Sequence, residues 1–537
     1  MILTRGDLSA PVAFEASGSQ EERKDDMAKG REKSDDRTVP KTLRKQGETA
    51  AVEQRGGKAI TANKQAKQLE MFGDTADSRQ GADGGAAVDS STPAPHAVPK
   101  SQNRTRDAVP VMTMENVTNA GNLRTAFQRV ARNQGAPGPD RQSIDEVREH
   151  LGDVLSALRA ELLDGSYRPG NIRRVWIPKA NGGQRGLGIP NVIDRIAQQA
   201  VHQVLSPNYE ATFHASSHGF RPGKSCHTAI AEAQQYLEEG YEWVVDLDLE
   251  KFFDQVNHQR LLARLEQSIA DRRLLLLIHR MLKAKAVMPD GVVVSTDEGV
   301  PQGGPLSPLL SNIVLDELDR ELQQRGHRFV RYADDCNIYV RSERSGQRVM
   351  AGIRHFIERR LRLKVNAEKS AVSRPEKRHF VGFTLRREPL DGSVEVLLSE
   401  RSKRRIAEKI RELTPRTWGQ SLRDCIRKLN EYLLGWIGFF HITSGRGLPL
   451  LDMHIRRRLR AIAIRHWRRR RSNASWKPLK PGRRSWWFLS NTSRVTRPLN
   501  NARLAERGLI SLETAWARYQ IQPTIVVAPE QLALPLG

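Results

Sequence analysis

Two short segments place acidic side chains where an apolar strand would otherwise continue. In VRYADDCNIYV (330–340), strand-like residues flank Ala333, Asp334 and Asp335, so two adjacent carboxylates sit at or beside a hairpin tip. Neighbouring carboxylates repel, and a divalent cation relieves the repulsion by becoming the largest local charge. A solvated acidic turn is the plain alternative. In EWVVDLDL (242–249), alternation puts Trp243, Val245 and Leu247 on one face and Val244, Asp246 and Asp248 on the other. Carboxylates at the end of a buried strand are costly unless paired or metal-bound. One carboxylate from this strand and the pair from the hairpin would make an oxygen-ligand set for two Mg2+ ions, which complete their shells with water and substrate phosphates. Mn2+ suits the same donors. Two such ions clamp the attacking and leaving oxygens of an in-line phosphoryl transfer, which is polymerase-type chemistry.

The whole chain agrees with a polyanionic partner. Its 537 residues carry 87 Lys+Arg against 62 Asp+Glu, a net of +25, which favours nucleic acid and disfavours an ordinary small-metabolite enzyme. Cys226, Cys336 and Cys425 are far apart, excluding a disulfide scaffold and a sulfur-rich zinc site. Apolar stretches fall well short of the roughly 18 residues of a membrane span, and the first twenty residues contain no continuous apolar run. The expectation is a soluble, cytoplasmic protein with no membrane partner.

The elements that must position the acids occupy the middle of the chain. Residues 1–110 hold 18 Lys+Arg and 17 Asp+Glu, with Phe14 and Phe72 as their only aromatics, and are expected to be a disordered polar leader. After them, helical apolar spacing alternates with β-rich runs, predicting a mixed α/β domain. SIDEVREHLGDVLSALRAELLDG (143–165) is expected as one helix, capped by Ser143 with Glu146 and stopped by Gly165. RRVWIP (173–178), EWVVDLDL, VRYA (330–333) and CNIYV (336–340) are predicted strands. DRIAQQAVHQVL and LSPLLSNIVLDELDRELQQR are predicted helices. Residues 401–537 hold 29 Lys+Arg, 8 Asp+Glu and seven of the nine tryptophans (Trp418, Trp436, Trp467, Trp476, Trp486, Trp487, Trp516), so phosphate neutralisation and base stacking point to structured RNA. Helical spacing assigns Leu429, Tyr432, Leu433, Trp436 and Phe440 to core, and Ile455, Leu459, Ile462 and Ala463 to the inner face of an arginine-rich helix.

These residues resemble a known family, the group II intron-encoded reverse transcriptase/maturases, in the bacterial form lacking an endonuclease domain. The likeness is carried, in order, by IPKANGGQRGLGIPNVIDRIAQQ (177–199), HGFRPGKSCHTA (218–229), VVDLDLEKFFDQVNH (244–258), GVPQGGPLSPLLSN (299–312), FVRYADDCNIYV (329–340), LKVNAEKS (363–370), HFVGFTL (379–385) and NEYLLGWIGFF (430–440). The resemblance implies a right-hand polymerase with α/β fingers and palm, then a mainly helical thumb/maturase domain and a basic C-terminal segment. Its boundaries are the leader 1–110, an N-terminal extension over 111–165, fingers and palm over 166–390, thumb/maturase over 391–470 and a basic nucleic-acid-binding segment over 471–537 with no endonuclease domain.

By the same resemblance, Asp248, Asp334 and Asp335 are the catalytic aspartates, which hold two metal ions with the backbone carbonyl of Leu249. Lys179, Arg185, Phe253 and Gln302 bind the incoming dNTP, with Phe253 disfavouring ribonucleotides. Arg221, Lys224, Lys369, Arg456, Arg457, Arg460, Arg468 and Arg469 contact nucleic acid. Asp246 and Asp254 are open positions, and a helix cap is an equal reading of Asp254. The implied activity is RNA-directed DNA synthesis joined to intron splicing and mobility by target-primed reverse transcription. The partners are the group II intron RNA, an RNA template with its DNA primer, target DNA and dNTPs, with monomer and dimer both open. Two other readings are a non-enzymatic splicing maturase, which the three intact aspartates disfavour, and a reverse transcriptase used in phage defence, which the NEYLLGWIGFF block and the basic tail disfavour.

Overall fold

The computed structural model describes residues 111–178, 183–388, 391–415, 419, 421–470 and 499–521. The expected leader and most of the segment 471–537 lie outside the described residues, as do Lys179 and the side chains of Arg468 and Arg469.

The α/β part begins with helices. α1 (Met114–Val117) and α2 (Ala120–Arg132) are followed by α3 (Ile144–Glu149) and α4 (Leu151–Asp164). The capping box forms, with Ser143 N donating to Glu146 Oε2 at 2.7 Å and Glu146 N donating to Ser143 Oγ at 3.2 Å. The single helix expected over 143–165 is two. His150 leaves the helical region at φ −115, ψ 27, and Gly152 beside it contributes little to helix continuation. Gly165, at φ 74, ends α4 as expected.

A four-stranded sheet of order β2-β1-β4-β5 comprises β1 (Ile172–Pro178), β2 (Gln184–Ile189), β4 (Ala286–Val287) and β5 (Val293–Val294). β1 and β2 pair antiparallel, with Ile177 opposite Arg185, forming the expected hairpin. α5 (Val192–Glu210) follows and buries side chains around much of its circumference, including Ile196, Ala200 and Val204, because α2 packs along it within the main core.

The second sheet has order β6-β7-β3-β8, from β3 (Trp243–Leu247), β6 (Arg328–Tyr332), β7 (Asp335–Val340) and β8 (Ala371–Ser373). Both faces of β3 are covered. Val245 and Leu247 join the main core, whereas Val244 joins a second cluster with Tyr339 and residues of α6 (Cys226–Glu238). Further helices are α7 (Phe252–Gln255), α8 (His258–Glu266), α9 (Arg272–Leu282), α10 (Ser307–Gln324) and α11 (Glu343–Phe356), of which α10 and α11 pack on this sheet. A two-stranded sheet of β9 (Phe383–Arg387) and β10 (Val394–Leu398) leads to the helical part.

That part comprises α12 (Glu400–Leu413), α13 (Leu422–Phe440), α14 (Leu448–Arg470), α15 (Asn501–Glu506) and α16 (Leu512–Ile521) around its own core. Leu429, Leu433 and Trp436 of α13 and Ile455, Leu459 and Ile462 of α14 are buried in it, as their spacing predicts. Trp516 is anchored by Nε1 donating to the Thr443 carbonyl at 2.8 Å. Trp436 and Trp516 are therefore packing residues rather than base-stacking surfaces. The side chains of the other five tryptophans of this region lie outside what is described. Among the described residues no helix is long and apolar enough to cross a membrane.

Candidate active site

The two acidic segments meet through strand register. β3 pairs antiparallel with β7, Asp246 opposite Asn337 and Leu247 opposite Cys336. One residue further, Asp248 comes level with Asp335. β6 and β7 form a hairpin in which Tyr332 pairs with Asp335, leaving Ala333 and Asp334 as the turn. Ala333 takes the left-handed conformation such a turn demands, at φ 57.

Asp248 is fixed from a third segment. Its N–H donates to Ser370 Oγ at 3.0 Å, and its carbonyl accepts from Asn366 N at 2.9 Å. Leu249 forms a bridge with Val365. The Asp248 carboxylate lies 3.5 Å from Lys369 Nζ. Lys369, expected on nucleic acid, therefore stands at the carboxylates themselves. Asp246 is committed elsewhere, accepting from Arg378 Nε at 2.8 Å, and Arg378 also donates to the Lys369 carbonyl at 2.5 Å.

Charge is concentrated at the turn. Protein packed around Asp335 pushes its carboxyl up to about 8, with Asp334, Asp246 and Asp248 adding to the effect. Its side chain nevertheless reaches solvent. Asp334 is likewise raised by burial and by Asp248, while Arg185 and Arg331 act in the opposite sense. Among the described residues, no group of three or more His, Cys, Asp or Glu side chains is gathered tightly enough to hold a metal. The donor set still suits a divalent ion. Three hard oxygen donors with mutual repulsion project from adjacent backbone positions, and substrate phosphates would complete the shell.

Two of the expected nucleotide residues touch each other. Arg185 Nε donates to Gln302 Oε1 at 3.1 Å, beside Asp334. The loop bearing Gln302 lies directly on β2, where Gly188 N donates to the Gln302 carbonyl at 2.6 Å. Gly303, at φ +117, has the Gly188 carbonyl oxygen 2.3 Å from where a Cβ would sit, so no side chain fits there. Phe253 is 8% exposed and meets Phe252 edge-on at 5.2 Å, while its carbonyl accepts from Val300 N at 2.6 Å. Asp254 does not cap α8. Asn257 does, accepting from Arg260 N at 3.0 Å, and Asp254 pairs with Arg174 at 3.2 Å.

Two of the expected nucleic-acid contacts, Arg221 and Arg460, are turned inward, whereas Lys224, Arg456 and Arg457 keep some exposure. Arg221 is 7% exposed, paired with Glu210 at 2.7 Å and donating to the Ser217 carbonyl at 2.8 Å, so its charge organises a loop. Arg460 is 4% exposed and donates to the Leu499 carbonyl at 3.1 Å and to Asn501. It stitches α14 to α15. Arg456 pairs with Asp452 at 3.4 Å, Lys224 donates to the Ala215 carbonyl at 2.8 Å, and Arg457 faces solvent.

The largest residue missed by the sequence reading is Arg331, fully buried two residues before the acidic turn and bound to Asp319, Asn312 and Ser217. The available signal was a charge inside the apolar run FVRYA, which demands a partner. Asn312 and Asp319, seven residues apart, share one face of a helix.

A family model described as "Reverse transcriptase (RNA-dependent DNA polymerase)" matches residues 177–385, and one described as "Group II intron, maturase-specific domain" matches residues 403–479. Protein YkfC of Escherichia coli is 42% identical over 193 residues, covering 35% of this chain and 50% of its own. Group II intron-encoded protein LtrA of Lactococcus lactis subsp. cremoris is 28% identical over 354 residues, covering 51% of this chain and 58% of its own. The chain thus spans about half the length of these curated relatives.

Proposed function

We propose that this chain, a group II intron-type reverse transcriptase/maturase by its two matched domains and its likeness to LtrA, is an RNA-directed DNA polymerase that also binds a group II intron RNA to assist splicing and mobility. The observation that carries the reading is the pairing of β3 with β7, which ends with Leu247 opposite Cys336 and so leaves Asp248 and Asp335 at adjoining strand ends inside the reverse transcriptase match. The reaction is nucleotidyl transfer from a dNTP to a primer 3′-hydroxyl, with pyrophosphate leaving.

Asp248, Asp334, Asp335 and the Leu249 carbonyl would hold two divalent ions, Mg2+ or Mn2+. When bound, the ions supply charge neutralisation and acidify the primer hydroxyl. Arg185 presents a guanidinium to the triphosphate and Gln302 steers it, in line with the distance between them. Lys179, six residues before Arg185 in the sequence, would add a second positive charge. Phe253 backs the sugar position. In this reading residues 391–470, which include β10 and α12 to α14, are the thumb/maturase domain, and exposed arginines such as Arg457 meet RNA phosphates. The partners are the intron RNA, an RNA template with its DNA primer, target DNA and dNTPs.

The test is primer extension on an RNA template with dNTPs and Mg2+, comparing wild type with an Asp334→Ala, Asp335→Ala double variant. Full-length cDNA from wild type alone is expected. Absence of product from both, with RNA binding retained, would leave a splicing role without polymerisation.

A further inference from the structure

The turn carrying Asp334 and Asp335 is held from behind by one side chain. Arg331 is 0% exposed. Its guanidinium has five N–H donors, and all five are used. Nε donates to Asp319 Oδ1 at 2.7 Å and Nη2 to Asp319 Oδ2 at 2.5 Å. Nη1 donates to Asn312 Oδ1 at 3.0 Å and to the Ala333 carbonyl at 2.9 Å, and Nη2 to Ser217 Oγ at 2.7 Å. One of those acceptors, the Ala333 carbonyl, belongs to the acidic turn itself.

The other side of the turn is fixed through the same hub. Asn312 Nδ2 donates to the Gly219 carbonyl at 2.8 Å, and a Cβ on Gly219 would lie 2.3 Å from Ala333 N, so the two backbones are in direct contact. The main chain of Arg331 is also engaged, its N–H donating to the Ser216 carbonyl at 2.9 Å and its carbonyl accepting from His218 N at 2.8 Å. The loop 216–219 thereby covers the open edge of β6 at Arg331, two residues before the turn begins at Ala333.

We propose that Arg331 is a positioning residue for nucleotidyl transfer. It fixes the left-handed Ala333 and so sets where Asp334 and Asp335 stand relative to Asp248. This rests on the polymerase reading above. Stability alone does not call for such a hub, because a buried ion pair can often be replaced by apolar side chains without loss of stability. An apolar pair, however, cannot donate to the Ala333 carbonyl. Lysine, with three donors and no planar fork, cannot serve five acceptors.

That difference makes the test. Arg331→Met with Asp319→Leu in the same chain fills the site with apolar groups, and Arg331→Lys keeps the charge but loses the fork. Each is compared with wild type for thermal midpoint, RNA affinity, dNTP KM, kcat in primer extension and the Mg2+ concentration at half-maximal rate. The expected result for either folded variant is kcat lower by about 10- to 100-fold with RNA affinity and dNTP KM within about 2-fold, and a raised Mg2+ requirement. If the double variant does not fold, Arg331→Lys decides by the same criteria. Wild-type kcat in a folded variant overturns the inference, as does a parallel fall in kcat and RNA affinity that tracks lost folded protein. Failure of wild type itself to extend a primer overturns the polymerase reading, and the inference falls with it.

Discussion

Arg185 of the β1–β2 hairpin donates to the side-chain carbonyl of Gln302 at 3.1 Å, so two segments more than a hundred residues apart already touch beside Asp334. Gln302 is held by its own backbone against Gly188, so the pair forms a preset wall rather than two independent charges. Replacing Arg185 by Ala removes a charge-assisted contact worth about 1.5–3 kcal/mol. The expected outcome is a dNTP KM raised by about 10- to 100-fold with primer–template affinity unchanged, read from steady-state extension and a separate binding titration.

Asp335 gives a pH signature without any catalytic assay. Its folded-state carboxyl is raised from 3.8 to about 8, so the folded protein holds this proton more tightly than the unfolded chain. The stability gained from the protonated group is fully present below pH 3.8, declines through the window up to about 8, and is gone above it. Asp335→Asn, which cannot ionise, should therefore melt higher than wild type in EDTA at pH 8.5, with the gap closing as the pH falls towards 4. Mg2+ should raise the wild-type midpoint at pH 8.5 and leave the variant nearly unmoved. Thermal melts at several pH values decide this, and a gap that widens on acidification would refute it.

Phe253 is packed rather than free, so its replacement has two readable effects. Phe253→Val leaves a smaller apolar group in the packed site and should cost stability modestly, on the order of 1–2 kcal/mol. In the polymerase reading, it should also raise ribonucleotide incorporation relative to deoxynucleotide by at least about 10-fold. Competing the two nucleotide types in one extension reaction measures the ratio.

The arginines of α14 should separate into two classes. Arg457 faces solvent, and Arg457→Gln should weaken RNA binding and lower the slope of log affinity against log salt by about 1. Arg460 is turned inward onto Leu499 and Asn501. Arg460→Gln should lower the thermal midpoint while leaving the salt slope unchanged. Equal salt slopes for the two variants would contradict the division.

Much of this site was legible because register and periodicity are local. The alternation in EWVVDLDL and the flanks of Ala333 are enough to predict two strands with acids at their ends, and ordered motif blocks join them. What was not legible is the direction a charged side chain takes. Arg221, Arg331 and Arg460 have the same formal charge as Arg457, yet they turn inward onto Glu210, Asp319 and the Leu499 carbonyl, partners distant in sequence or unmarked by spacing. The break at His150 was missed for a related reason, since one residue in a bridge conformation leaves the apolar pattern of both flanking helices intact.

Phe383 stacks on Phe439 at 5.6 Å, and Phe440 and Ile442 pack against the cluster that also contains Tyr339 and Val244. His227 Nε2 lies 2.7 Å from the Phe439 carbonyl, adding a polar seam between α6 and α13. The gap between the two family matches, 386–402, is thus no severable joint. A chain cut there would leave an oily scar on both pieces, each lacking the surface against which its aromatic residues fold. The helical part and the sheet that carries the acids are wedded through that seam, so neither keeps its shape without the other.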